Sequence, residues 1–160
     1  MTESEIFVRE ASKEEWEEAM ELAWRTFLKY EGNDYTKEGI DSFLEFISGD
    51  KIYEMFQIGE YKLWVAFIDK EMVGMGSLRN GNHISLLFVK DGFLRKGIGK
   101  AILREMQKKV ELEYNKLILT VYASPYGVPF YARLGFKAVS EPQEEEGIIY
   151  TPMKLLSRIN

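Results

Sequence analysis

Apolar positions recur along the chain with two periods, and the change from one to the other marks out its elements. Ile6 to Arg9 reads as a short opening strand. Ser12 and Glu15 have capping-box spacing, and Trp16, Ala19, Met20, Ala23, Trp24 and Phe27 then form the stripe of an amphipathic helix that stops near Gly32. Ile40, Phe43, Leu44 and Ile47 predict a second helix from about Thr36 to Gly49, and Lys51 to Ile58 adds one or two helical turns. From Tyr61 the grammar becomes that of strands. Lys62 to Ile68, Met72 to Leu78 and His83 to Val89 are β-branched or aromatic-rich runs, separated by Asp69-Lys70 and by Asn80-Gly81-Asn82, so three antiparallel strands joined by hairpins are expected. A long helix follows from Gly97 or Ile98 to near Glu113, with Ile98, Ile102, Met106 and Val110 on one face. Lys116 to Tyr122 reads as a central strand and Pro129 to Leu134 as a short helix opened by proline and stopped by Gly135. Phe136 to Ser140 and Gly147 to Met153 read as closing strands.

This order gives an α+β chain, one domain over residues 1–160, with no repeat or linker. A composition 46% apolar and 29% charged is that of a packed globular protein. The net charge of -5 argues against a broad grip on nucleic-acid phosphates, so any anion site must be local. The absence of Cys excludes thiolate zinc sites and a cysteine nucleophile, and a lone His argues against imidazole-rich metal sites. The N-terminus lacks a signal-peptide plan and no apolar run approaches the ~20 residues of a membrane span, so a soluble, cytoplasmic protein is expected. The acidic runs Glu14 to Glu18 and Glu141 to Glu146 read as solvated faces.

The candidate chemistry begins at Val89-Lys-Asp-Gly-Phe-Leu-Arg-Lys-Gly-Ile-Gly-Lys100, between a strand and the long helix. Glycines at a helix N-terminus let an anion approach unpaired N–H groups and the positive end of the dipole. Walker A spacing fails because Ile98 and Gly99 stand where Lys and Ser/Thr are needed, and the dinucleotide fingerprint fails at Ile102. What remains, Leu94-Arg-Lys-Gly97-Ile-Gly99, resembles the acetyl-CoA pyrophosphate loop of the Gcn5-related N-acetyltransferases (GNAT), except that Leu94 replaces the Gln/Arg of its first position. A second stretch, Ser124-Pro-Tyr-Gly-Val-Pro-Phe-Tyr-Ala-Arg-Leu-Gly-Phe136, resembles that family's other hallmark, a short helix ending in Tyr, three residues, Gly-Phe. Tyr150-Thr-Pro-Met153 looks like its last strand.

The resemblance implies a GNAT fold, a mixed, mostly antiparallel central sheet of about seven strands flanked by helices and splayed between the fourth and fifth strands. It implies an N-acetyltransferase using acetyl-CoA as co-substrate and no metal, acting on a primary amine of a small molecule or peptide, without nucleic-acid or membrane partners; the fold is compatible with a homodimer. Cofactor contacts carry over to Leu87, Phe88 and Val89, whose backbone would pair with pantetheine and face the developing oxyanion, to Leu94, Arg95, Lys96, Gly97, Ile98, Gly99 and Lys100, and to Ser124. Lys96, Lys100 and Arg104 could form an anion-binding collar or be solubility charges. Tyr131 matches the general acid that protonates the departing thiolate, against the alternative that it fills the core beside Phe130 and Phe136.

The general base is less legible. The strand before the glycine-rich turn carries no carboxylate; His83, sharing a face with Ser85 and Leu87, is the candidate, and Glu31 and Asp34 between the first two helices are alternatives. That connection lines the acceptor site in the family, which points to Phe27, Tyr30, Glu31 and Tyr35 as substrate contacts, while most of the Trp24 and Phe27 stripe reads as core. A second reading is a CoA-binding sensor or interaction module on the same fold, with Leu94 and the missing strand carboxylate as signs of lost catalysis. Without an enzyme thiol to carry the acetyl group, direct transfer from CoA to the acceptor is expected.

Overall fold

Eight strands form the sheet of this computed structural model, which describes residues 5–160; residues 1–4, the start of the segment read for signal-peptide character, lie outside the described residues. The order along the chain is β1 (Phe7–Glu10), α1 (Trp16–Tyr30), α2 (Lys37–Ser48), α3 (Asp50–Gln57), β2 (Lys62–Ile68), β3 (Glu71–Arg79), β4 (His83–Val89), α4 (Ile98–Tyr114), β5 (Leu119–Ala123), α5 (Val128–Arg133), β6 (Lys137–Ala138), β7 (Gln143–Glu145) and β8 (Ile148–Leu155). Across the sheet the strands run β1-β2-β3-β4-β5-β8-β6, with β7 paired to β8. Every pairing is antiparallel except β4 with β5. The strand beyond the expected seven is β7, inside the acidic run; its side chains are all exposed, as read, but its backbone pairs with β8.

Local chemistry sets these boundaries. The Ser12 N–H donates to Glu15 Oε1 at 2.8 Å, and this capping turn leads into α1. Thr36 Oγ1 accepts from the Gly39 N–H at 3.1 Å and opens α2. Asp69 and Lys70 both have positive φ, the signature of the two-residue turns whose twist matches β-hairpins, and Asn80 and Gly81, also at positive φ, open the three-residue turn that ends at Asn82. β5 begins at Leu119 rather than Lys116 because the two preceding carbonyls are taken by side chains: Leu117 accepts from Gln107 at 3.1 Å and Ile118 from Asn82 at 3.2 Å.

Apolar clusters fill both faces of the sheet. On one, Ile98, Ile102, Met106 and Val110 of α4 pack with Val73, Leu119 and Leu155; on the other, Trp16, Met20 and Phe27 of α1 pack with Leu63, Val65, Met75 and Phe88. Gly76 lets α4 lie close to β3, since a Cβ there would fall 2.8 Å from Ile102 Cγ2.

Two departures from regular pairing shape the site. β4 pairs with β5 only at His83↔Thr120 and Ile84↔Val121, so the strands splay beyond that point and Leu86 to Val89 keep β3 alone as neighbour. Opposite β3 the register jumps from Leu78↔Ile84 to Ser77↔Leu86, leaving Ser85 as the extra residue of a bulge. The bulge breaks the expected alternation. Ser85 accepts a hydrogen bond from Tyr61 on the α1 face, whereas Leu87 packs toward α4, so His83, Ser85 and Leu87 do not share one face.

Candidate active site

The splay opens into a cleft of about 1080 Å³ that runs along β4 from His83 to Val89 and reaches α1, α2, α4, α5 and β8. At one end stands the N-terminus of α4. The first helical bond runs from the Ala101 N–H to the Gly97 carbonyl at 3.0 Å, so the N–H groups of Ile98, Gly99 and Lys100 precede the intrahelical ladder and meet no acidic residue in the first turn. The two glycines serve different ends. Gly97 has φ +82, a left-handed conformation, and open space around it, whereas a Cβ on Gly99 would come 3.0 Å from the Phe130 ring. Leu94, Arg95, Gly97, Ile98, Gly99 and Lys100 all line the cleft; Lys96 is exposed outside the lining, as is Arg104.

In the middle of the cleft the chain brings together groups far apart in sequence. Glu31 ends α1, Tyr35 precedes α2, Ser124 follows β5 and Tyr131 lies on α5. Burial pushes the Glu31 carboxyl above its ordinary range, against hydrogen bonds from Ser124 and Tyr35 that lower it, while neighbouring Asp34 adds to the rise. The Ser124 hydroxyl also accepts from the Gly127 N–H at 3.0 Å, which ties it to the start of α5. Tyr131 is held edge-on between Phe130 and Phe136, with ring centroids 5.2 and 5.1 Å away, and still lines the cleft. Its phenol is raised first by burial and then by the charge of Glu31, so the two groups feel each other electrostatically. Core filling and access to the cleft therefore belong to the same side chain.

The family model for the acetyltransferase (GNAT) domain matches residues 31–157. This chain belongs to the GNAT acetyltransferase family. It is 35% identical over 89 residues to an uncharacterized N-acetyltransferase of Escherichia coli (strain K12), YafP, covering 56% of this chain and 55% of that protein, so the chain spans about half the length of the curated relative it matches. Two solved structures share the fold of this GNAT domain. A GCN5-related N-acetyltransferase of Rhodopseudomonas palustris aligns with a TM-score of 0.81 at 21% identity, over 96% of this chain and 97% of its own. The PaiA N-acetyltransferase of Thermoplasma acidophilum, solved in complex with coenzyme A, aligns with a TM-score of 0.76 at 23% identity, over 96% and 99%.

Within this GNAT domain the cleft gathers Phe27, Tyr30, Glu31, Tyr35, His83, Leu87, Phe88, Val89, Ser124 and Tyr131. Trp24 lies outside it, stacked on Phe27 and Phe43 at 6.2 and 6.3 Å, and exposed Asp34 does not line it. His83 Nδ1 is engaged with Thr120 Oγ1 at 2.7 Å and its ring meets Tyr122 edge-on at 4.4 Å. Burial, with a smaller push from Arg79, lowers it to about 4, so the imidazole is neutral at pH 7. The end of α1 is tied across the splay: Tyr30 stacks on Tyr126 at 5.5 Å and donates to Asp91, which also pairs with Lys29.

Sequence reasoning missed Arg79, Ser85, Ser42, Tyr122 and the β7–β8 residues Glu145, Glu146 and Tyr150, which also line the cleft. Apart from Tyr150, none belongs to a motif; the bulge in β4 brings Ser85 there and the pairing of β7 with β8 brings Glu145.

Proposed function

We propose that this domain is an acetyl-CoA-dependent N-acetyltransferase that passes the acetyl group directly to a primary amine of a small molecule or peptide. The observation that carries the reading is the splay itself. It leaves the Leu86 to Val89 backbone facing a cleft that has a helix N-terminus at one end and a half-buried carboxylate near a buried phenol in its middle.

The chain's own groups fit the co-substrate. The N–H groups of Ile98, Gly99 and Lys100, with the Lys100 ammonium, suit a pyrophosphate, and the open edge of β4 suits the amide-bearing pantetheine arm as an added strand. Acetyl-CoA, when bound there, supplies an activated acyl thioester. Glu31 takes the proton from the acceptor ammonium; a carboxylate raised by burial is a better base at neutral pH than an ordinary one, and it fills the place of the strand carboxylate that β4 lacks. His83, neutral but weakly basic and already bound through Nδ1, is the poorer base. A backbone N–H among Leu87, Phe88 and Val89 stabilises the negative charge that develops on the carbonyl oxygen. Tyr131 gives its proton to the leaving sulfur. Because burial raises this phenol, while a thiol ordinarily titrates near 8.5, the proton moves as the C–S bond breaks and not before.

The test is free-thiol release from acetyl-CoA over a panel of amino acids, short peptides, polyamines and aminoglycosides, with mass spectrometry of the products. Acceptor-dependent thiol release with N-acetyl product is expected; tight acetyl-CoA binding without acceptor-dependent release would point instead to a sensor.

A further inference from the structure

Beyond the groups used above, the acceptor side of the cleft contains a cation without a counterion. Arg79 ends β3 directly opposite His83, lines the cleft, and has its Nε sealed from water with no hydrogen-bond partner. No carboxylate lies within ion-pair distance of it among the described residues. Its charge is felt by both His83 and Tyr61. A guanidinium without a counterion is costly to hold in a cleft; its sealed Nε stays within the protein, while its two Nη groups, which make no hydrogen bond among the described residues, are free to meet a ligand acceptor.

A second donor converges on the same place. The Tyr61 hydroxyl donates to Ser85 Oγ at 2.9 Å and contacts Ser77 Oγ at 2.6 Å. A phenol has one proton, so with that proton on Ser85 the Ser77 hydroxyl must be the donor of the shorter bond. Ser85 is thereby fixed as an acceptor from Tyr61, and its own O–H remains to donate into the cleft that it lines. The bulge that places Ser85 on the Tyr61 side also puts it between Arg79 and the open β4 backbone.

We propose that Arg79 and Ser85 form a carboxylate-binding subsite for the acceptor, so that the amine acetylated here belongs to a molecule that also carries a carboxylate, a short peptide. A planar guanidinium suits a carboxylate through paired N–H bonds. From Arg79 along β3 to Gly76, which lies across from Leu87, is three strand residues, roughly 10 Å. That span separates the anion from the acetyl position by about the length of a dipeptide or tripeptide.

The proposal rests on the acetyl-transfer reading, and two measurements keep the two apart. In the first, kcat/KM is compared for triglycine and its C-terminal amide. The wild type should prefer the acid by about tenfold or more, and Arg79→Gln should bring the ratio near one, with Arg79→Lys between. In the second, N-acetyl-triglycine and its amide are titrated calorimetrically into the wild type and Arg79→Gln in the presence of CoA. The acid should bind the wild type about tenfold more tightly than the amide, and the variant should not discriminate. Arg79-dependent binding of the acid with no acceptor-driven thiol release would sink the acetyl-transfer reading and leave the subsite standing. Turnover without a preference for the acid, a preference that survives Arg79→Gln, or no binding of either peptide would overturn the subsite.

Discussion

Glu31 is a carboxylate that folding holds above its ordinary titration range, and the sign of that shift fixes what removing it should do. A folded-state pKa above the unfolded one means that the native state binds more protons in the window between the two, so stability falls as pH rises through that window and the cost is complete once the pH is above the folded-state value. Glu31→Gln should therefore raise the melting temperature at pH 7, and the gain should shrink as pH falls toward about 4, where the carboxyl is protonated in both states. The same variant should lower kcat by about 100-fold or more and remove the acidic limb of the pH–rate profile. A wild-type acidic limb unchanged in Glu31→Gln would take the base role from this residue. Tyr131→Phe keeps the packing against Phe130 and Phe136 and should cut kcat by a similar factor while acetyl-CoA affinity changes little. Unchanged turnover would leave Tyr131 with core filling alone. His83 titrates near 4, so His83→Gln should leave the profile between pH 6 and 8 unmoved. The place of Tyr131 in the cleft was legible from its spacing to Gly135-Phe136; Glu31 stood among alternatives, because its burial and its hydrogen bonds with Tyr35 and Ser124 arise only in the folded chain.

At the scale of elements, periodicity located the helices and the hairpin strands, since an amphipathic stripe and a positive-φ turn are local properties. Non-local pairing stayed hidden. The Ser85 bulge reverses the facing of β4 without a sequence signal, β7 lies in a run of acidic residues, and β5 starts late because Gln107 and Asn82 take carbonyls from elsewhere. The glycine-rich turn was legible as the opening of a helix, and the structure separates the requirements of its two glycines. At Gly97 a side chain would have space but an unfavourable φ, so Gly97→Ala should cost about 1–2 kcal/mol through left-handed strain. By distorting the start of α4 it should also weaken acetyl-CoA binding, read as a smaller ligand-induced rise in melting temperature. An equal rise in wild type and Gly97→Ala would show that this turn does not hold the phosphates.

For the molecule as a whole, the sheet packs an apolar cluster on each face, and the site forms where β4 and β5 part between them. The acidic net charge of -5 is carried by exposed runs, and the cleft combines a helix N-terminus and Arg79 with Glu31, Glu145 and Glu146. Among the described residues no helix is long and apolar enough to cross a membrane. In the proposed reaction this cleft moves an acetyl group from CoA to an amine in one step. Its most direct measurement is thiol release from acetyl-CoA with and without an amine acceptor, in the wild type and in Glu31→Gln. One thiol should be released for each N-acetyl product formed, dependent on the acceptor and lost in the variant; thiol release indifferent to every acceptor, or equal in both proteins, would contradict direct transfer in this cleft.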